Sequence, residues 1–143
     1  MSDTFGLQRF VDAQQRVYPA VAAELGHGTK RTHWMWFIFP QVEGLGHSPT
    51  SKLYAIRSRA EAKAYLQHGV LGPRLKECTG LVLGLKGRTA HRIFGSPDDL
   101  KFQSSMTLFD AIAPDGVFRD ALRRYYAESR DAWTLEILAD WKA

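Results

Sequence analysis

One cysteine, Cys78, stands in the whole sequence of 143 residues. A lone thiol excludes an intramolecular disulfide framework and any multi-cysteine zinc site, and it fits a reducing compartment. Also missing is any apolar run near the roughly 20 residues that a membrane-spanning helix needs. Met1 to Phe10 is polar where a secretory leader would carry its apolar core. A cytoplasmic protein with no membrane partner is expected. The chain contains no G-x-G-x-x-G, G-x-x-x-x-G-K-[ST], H-E-x-x-H or G-x-S-x-G, so the common cofactor enzymes do not apply and no cofactor is expected. His27, His33, His47, His68 and His91 form no i,i+4 pair and have no acidic partner at ligand spacing, so no metal is expected.

What the chain does contain is ordinary for a globular protein: 45% hydrophobic and 24% charged residues. That balance argues against disorder and against a coiled coil. No repeat, linker or low-complexity tract divides it, so residues 1–143 read as a single globular domain. The formal charge of +4 is mild but unevenly placed. Between Gly26 and Ala60 stand Lys30, Arg31, Lys52, Arg57 and Arg59 against Glu43 alone. A small anionic ligand is favoured there over a nucleic acid, because no Lys/Arg run forms a binding arm; the plain alternative is a solvated basic face. Oligomeric state leaves no signal.

Most of the chain carries helical periodicity and helix punctuation. Leu7, Phe10, Val11, Val17, Val21 and Leu25 recur near the helical period, with Thr4 as N-cap. Pro19 predicts a break into two helices near Arg16 or Val17, and Gly26 a stop. Gln14 and Glu24 read as solvent-exposed. Ser58 and Glu61 form a capping box opening a helix closed by Gly69, and Gly72-Pro73 begins another running to Gly87. In that second helix Gly80 and Gly84 either weaken it or permit close helix contact. Thr89 caps a short turn to Gly95. Ser96-Pro97-Asp98-Asp99 is a strong start for a helix to about Ile112, with Leu100, Met106, Leu108, Phe109 and Ile112 apolar. Two more helices follow Pro114-Asp115-Gly116, the last from about Asp131 with Trp133, Leu135, Ile137, Leu138 and Trp141 as packing groups. The expected fold is all-α: a compact array of about six to eight helices with one extended or irregular aromatic segment near residues 33–40.

That segment lies in KRTHWMWFIFPQVEGLGHS, residues 30–48, and it is the densest concentration of ring and polar groups in the chain. His33 has the acid/base chemistry of a catalytic group, and Trp34 and Trp36 could stack a planar ligand. The opposing explanation is a loop histidine between core tryptophans. Gly44-Leu45-Gly46 offers backbone amides to an anion, though two glycines two apart also describe a tight turn. Lys101, Ser104 and Ser105 would share one side of a helix, at i,i+3 and i,i+4. Lys30, Gln41, Ser48, Arg57 and Arg74 complete the candidate ligand-binding set. Cys78, in an apolar helical pattern with no base beside it, reads as a buried inert thiol.

A family resemblance rests on Lys30 and on His33-Trp34-Met35-Trp36-Phe37-Ile38-Phe39-Pro40-Gln41, followed by Gly44-Leu45-Gly46 and Ser48. Ile93-Phe94-Gly95, Asp98, Lys101-Phe102 and Ser104-Ser105-Met106-Thr107-Leu108-Phe109 extend it. On these residues the chain resembles the DUF1810 family, small, mostly α-helical bacterial proteins of uncharacterised function. The resemblance implies a helical fold and supplies no catalytic residue. Three functions stay open. The first is a pocket, binding or enzymatic, for a small anionic planar compound such as a nucleotide derivative, which requires residues 30–48 to meet Lys101–Ser105. The second is a non-enzymatic interaction module with a basic and aromatic surface for a protein or nucleic acid. The third is a core plug made of the aromatic run.

Overall fold

The computed structural model describes residues 3–141; Met1 and Ser2 at the polar start, and Lys142 and Ala143, lie outside them. Among the described residues there are nine helices and no strand: α1 (Gln8–His27), α2 (Met35–Ile38), α3 (Pro49–Leu53), α4 (Arg59–Gln67), α5 (Leu71–Leu83), α6 (Ala90–Phe94), α7 (Asp98–Ile112), α8 (Val117–Tyr126) and α9 (Ala132–Asp140).

Pro19 does not divide α1, contrary to the expected break. Phe10, Gln14, Val21 and Leu25 form one buried stripe on both sides of it. Burying Val21 and Leu25 is worth roughly 1.5–3 kcal/mol each, enough to offset the roughly 3 kcal/mol that an interior proline costs. Pro19 itself is exposed, so the carbonyl it leaves unpaired can turn to water. Nor does Thr4 or Gly26 mark the ends. The Asp3 carboxylate accepts from Leu7 N at 2.7 Å and Gln8 N at 2.8 Å. At the other end Gly28 takes the left-handed conformation, φ 83°, and closes the helix on the carbonyls of Glu24 and Leu25.

Helix α7 is the axis. Phe102 and every residue from Ser104 to Asp110 are buried on it, with α4, α6, α8 and α9 packed around. Along this buried stretch two hydroxyls turn back to the helix's own backbone: Ser104 Oγ donates to Leu100 O at 3.0 Å and Thr107 Oγ1 to Gln103 O at 2.8 Å. Its start differs from expectation, since Pro97 occupies the N-cap and Ser96 makes no cap. The expected caps at Ser58 and Thr89 are present, each side chain accepting the amide three residues on, and Asp131, where the last helix was expected to begin, caps α9 in the same way. Gly69 and Gly87 do not end α4 and α5, which stop at His68 and Gly84.

The aromatic segment contains one helical turn, α2, between irregular flanks. It has no neighbouring strand, and its buried amides find partners within the turn, Ile38 N to Trp34 O at 3.2 Å and Phe39 N to Met35 O at 3.1 Å. Trp34 and Phe39 are fully buried, and Phe39 meets Phe94 and Phe102 edge to face at 5.9 and 4.9 Å. Gln14 is also in the core, contrary to the expected exposure. Its amide donates to Phe37 O at 2.7 Å and to Tyr65 Oη at 3.1 Å, tying α1 to α2.

Candidate functional site

After α2 the chain is pinned beside Ile56: Ile56 N donates to Gln41 O and Glu43 N to Ile56 O, both at 2.9 Å. Gly44 then turns with φ 108°, and a Cβ on Gly46 would meet Ser51 Oγ at 2.5 Å and its Cβ at 2.6 Å. Both glycines are thus demanded by the turn and by the close approach of α3, whose N-cap is Ser48. The loop they make stands opposite the first turns of α7 and the start of α9, leaving a groove of about 380 Å3 between them. That size suits a small organic ligand. A second recess of about 20 Å3, room for a single water, adjoins it against Trp36 and Phe39.

Lys101 lines both spaces. Its ammonium lies 4.8 Å from the centre of the Trp36 ring and 3.5 Å from Asp98 Oδ1. The other oxygen of Asp98 is held at 2.8 Å by Lys30, whose side chain is only 8% exposed. One carboxylate therefore serves two ammonium groups, and Lys101 has the looser share. Around it the groove is amphipathic. Gln41, Ser104 and His47 are polar, whereas Leu100 and Trp133 stand on the rim, 58% and 68% exposed.

Residues 30–48 and 101–105 thus do meet. Trp36, Gln41, Lys101 and Ser104 line the two spaces together. Other candidates are placed elsewhere. His33 is exposed and lines neither space. Trp34 is buried, its indole N–H donating to Glu24 Oε1 at 3.0 Å, with Lys30 over its ring. Arg57 pairs on the surface with Glu43 at 3.1 Å. Arg74 stacks over Tyr18 at 4.7 Å and reaches Gln14. Ser105 is fully buried inside α7, and its hydroxyl has no hydrogen-bond partner among the described residues. Ser48 serves α3. Among the described residues no group of three or more His, Cys, Asp or Glu could hold a metal, and no helix is long and apolar enough to cross a membrane.

Glu24, expected to be solvent-exposed, is instead the organiser of the loop after α1. Its carboxylate accepts from Arg31 N, Thr32 N, Thr32 Oγ1 and Trp34 Nε1. Partial burial pushes its pKa up, but the four donors outweigh that and bring it down to about 2. Leu100 and Trp133, assigned to packing from sequence, are rim residues. The signal was present for Trp133: it shares a helical face with Glu136 and Asp140, at i+3 and i+7, both exposed.

A protein family of unknown function, DUF1810, matches residues 4–138. The chain belongs to the DUF1810 family. The crystal structure of the conserved hypothetical protein Rv1873 from Mycobacterium tuberculosis is similar to it throughout, with 54% identity and a TM-score of 0.94 over 96% of this chain and 99% of that one. The all-α fold is therefore shared between this DUF1810 chain and that crystal structure. No curated protein matches it.

Proposed function

We propose that this DUF1810 protein binds a small anionic compound with a planar apolar body, such as a nucleotide derivative, in the groove beside Lys101. The observation that carries the reading is the position of Lys101. Its ammonium is held by the Trp36 ring and by an Asp98 carboxylate already engaged with Lys30, while Leu100 and Trp133 offer an apolar rim. An arriving carboxylate or phosphate would compete for a cation whose present ion pair is long, and a flat ring would cover Trp133. Binding rather than catalysis is proposed. His33 is outside the groove, and His47 inside it has no free hydroxyl or carboxylate beside it, since Ser104 spends its proton on Leu100 O, Ser51 is paired with Ser48 and Asp131 caps α9.

A thermal-shift screen with nucleotides, sugar phosphates and small acids tests this, because a ligand of the native state raises the melting temperature by mass action. A rise with one class, lost in both Lys101→Ala and Trp133→Ala, is expected. A rise that survives both substitutions would refute the groove.

The exposure of Trp133, Leu135 and Leu100 favours one competing function, an interaction surface for another protein. It predicts no shift with any small compound, and loss of partner capture in Trp133→Ala while Lys101→Ala still captures.

A further inference from the structure

Another recess, of about 430 Å3, lies at the C-terminal end of α1 and shares no residue with the groove. Ala23, Glu24, His27, Thr29, Arg31 and Arg88 line it. Three features make it more than a scatter of surface cations. First, Arg88 lies directly over the turn at Gly28: a Cβ there would come within 2.7 Å of its Nε and 2.8 Å of its Cδ, so the missing side chain is the space that the arginine fills. Second, Arg31 sits on a loop whose backbone is clamped by Glu24, at 2.6 Å to Arg31 N and 2.9 Å to Thr32 N. Third, the two loops are joined, since Lys30 N donates to Ile93 O at 2.7 Å, and Ile93 belongs to the helix that follows Arg88.

Charge then decides what the recess could hold. Neither Arg31 nor Arg88 forms a salt bridge among the described residues. The one carboxylate present, Glu24, already accepts four hydrogen bonds, three of them from main-chain or ring N–H groups. Two guanidinium groups against that single carboxylate leave positive charge, with the imidazole of His27 and the hydroxyl of Thr29 beside it as further hydrogen-bonding groups. No Phe, Tyr or Trp lines the recess, so it lacks the broad apolar ring on which a base would stack most strongly. Paired planar guanidinium donors are suited to a tetrahedral oxyanion, which they can hold with two parallel hydrogen bonds each.

We infer that Arg31 and Arg88, with His27 and Thr29, form a binding site for a terminal phosphate group, free or carried as a phosphomonoester. This site is independent of the reading proposed for the groove. The structural explanation that competes with it is that Arg88 and His27 merely complement the negative end of the α1 dipole.

Titration of the full chain with inorganic phosphate, and separately with methyl phosphate, at constant ionic strength, followed by amide NMR, separates the two. Saturable shifts centred on Gly28–Thr32 and Arg88 are expected, weakened about tenfold or more in Arg31→Gln and in Arg88→Gln, the equivalent of losing one charge-assisted contact. Saturation by phosphate alone assigns the free ion; saturation by both assigns the ester. Both arginines are exposed, and melting curves without phosphate confirm that each variant folds. Equal titrations in wild type and variants, with Arg88→Gln merely less stable, would overturn the inference in favour of the dipole role. So would a DNA duplex that binds this surface more tightly than either phosphate.

Discussion

The ammonium of Lys30 lies 2.8 Å from Asp98 Oδ2, fastening the basic loop after α1 to the first turn of α7. Both side chains are largely withdrawn from water, at 8% and 19% exposure. Asp98→Asn leaves Lys30 without its partner over the Trp34 ring, and a loss of about 2 kcal/mol is expected, below the range for a fully buried pair. Urea denaturation reads it directly. A change under about 0.5 kcal/mol, the range of ordinary surface substitutions, would mean that the pair is decorative.

Two glycines of α5 should respond in opposite directions to alanine. A Cβ on Gly72 would stand 2.1 Å from the carbonyl oxygen of Leu66, a backbone atom that cannot move aside. Gly72→Ala should therefore destabilise by about 2 kcal/mol or more. Nothing lies within 4 Å of a Cβ on Gly80, so Gly80→Ala should stabilise by up to about 1 kcal/mol through helix propensity. Melting temperatures moving the same way in both would contradict the close approach of the Leu66 carbonyl to Gly72.

Acid should act through Glu24. Its pKa falls from an ordinary 4.5 to about 2 in the folded protein, so its ionised form adds stability at pH values above the ordinary carboxylate range. That contribution fades as the pH drops through roughly 4.5 toward 2. The stability difference between wild type and Glu24→Gln should be about 2 kcal/mol near neutrality and shrink on acidification. A difference that is flat with pH would show that the carboxylate charge is not what holds the loop.

Cys78 should be silent toward thiol reagents. Burial pushes its thiol up to about 11, and the thiolate is the reactive form. Ellman's reagent at pH near 8 should label the native protein slowly and the urea-unfolded protein at once. Fast stoichiometric labelling of the native chain would be the contrary result.

Local interactions were legible without the fold. Ser58 and Thr89 cap helices because an oxygen three residues from an amide needs nothing beyond its own turn. The all-α class follows from the same short-range patterns, and so does the burial of Cys78 among its apolar neighbours. The meeting of residues 30–48 with Lys101 was a requirement that the sequence could state but not decide.

Tertiary structure decided the rest, because the energies concerned depend on what comes to lie opposite. Pro19 reads as a break until Val21 and Leu25 are buried beyond it on the same stripe. Gln14 and Glu24 are ordinary polar helix residues until Phe37, Tyr65 and the loop at 31–34 bring donors and acceptors to them. His33 and Trp34, neighbours in the most site-like stretch, part company by burial: one is exposed, the other sealed under Lys30. Trp133 shares its helical face with Glu136 and Asp140, which marks that face as outward, but only the docking of α9 with Thr134 and Leu138 inward puts its indole at the edge of the groove. Desolvation and long-range hydrogen bonds belong to pairs of surfaces, and only the folded chain chooses the pairs.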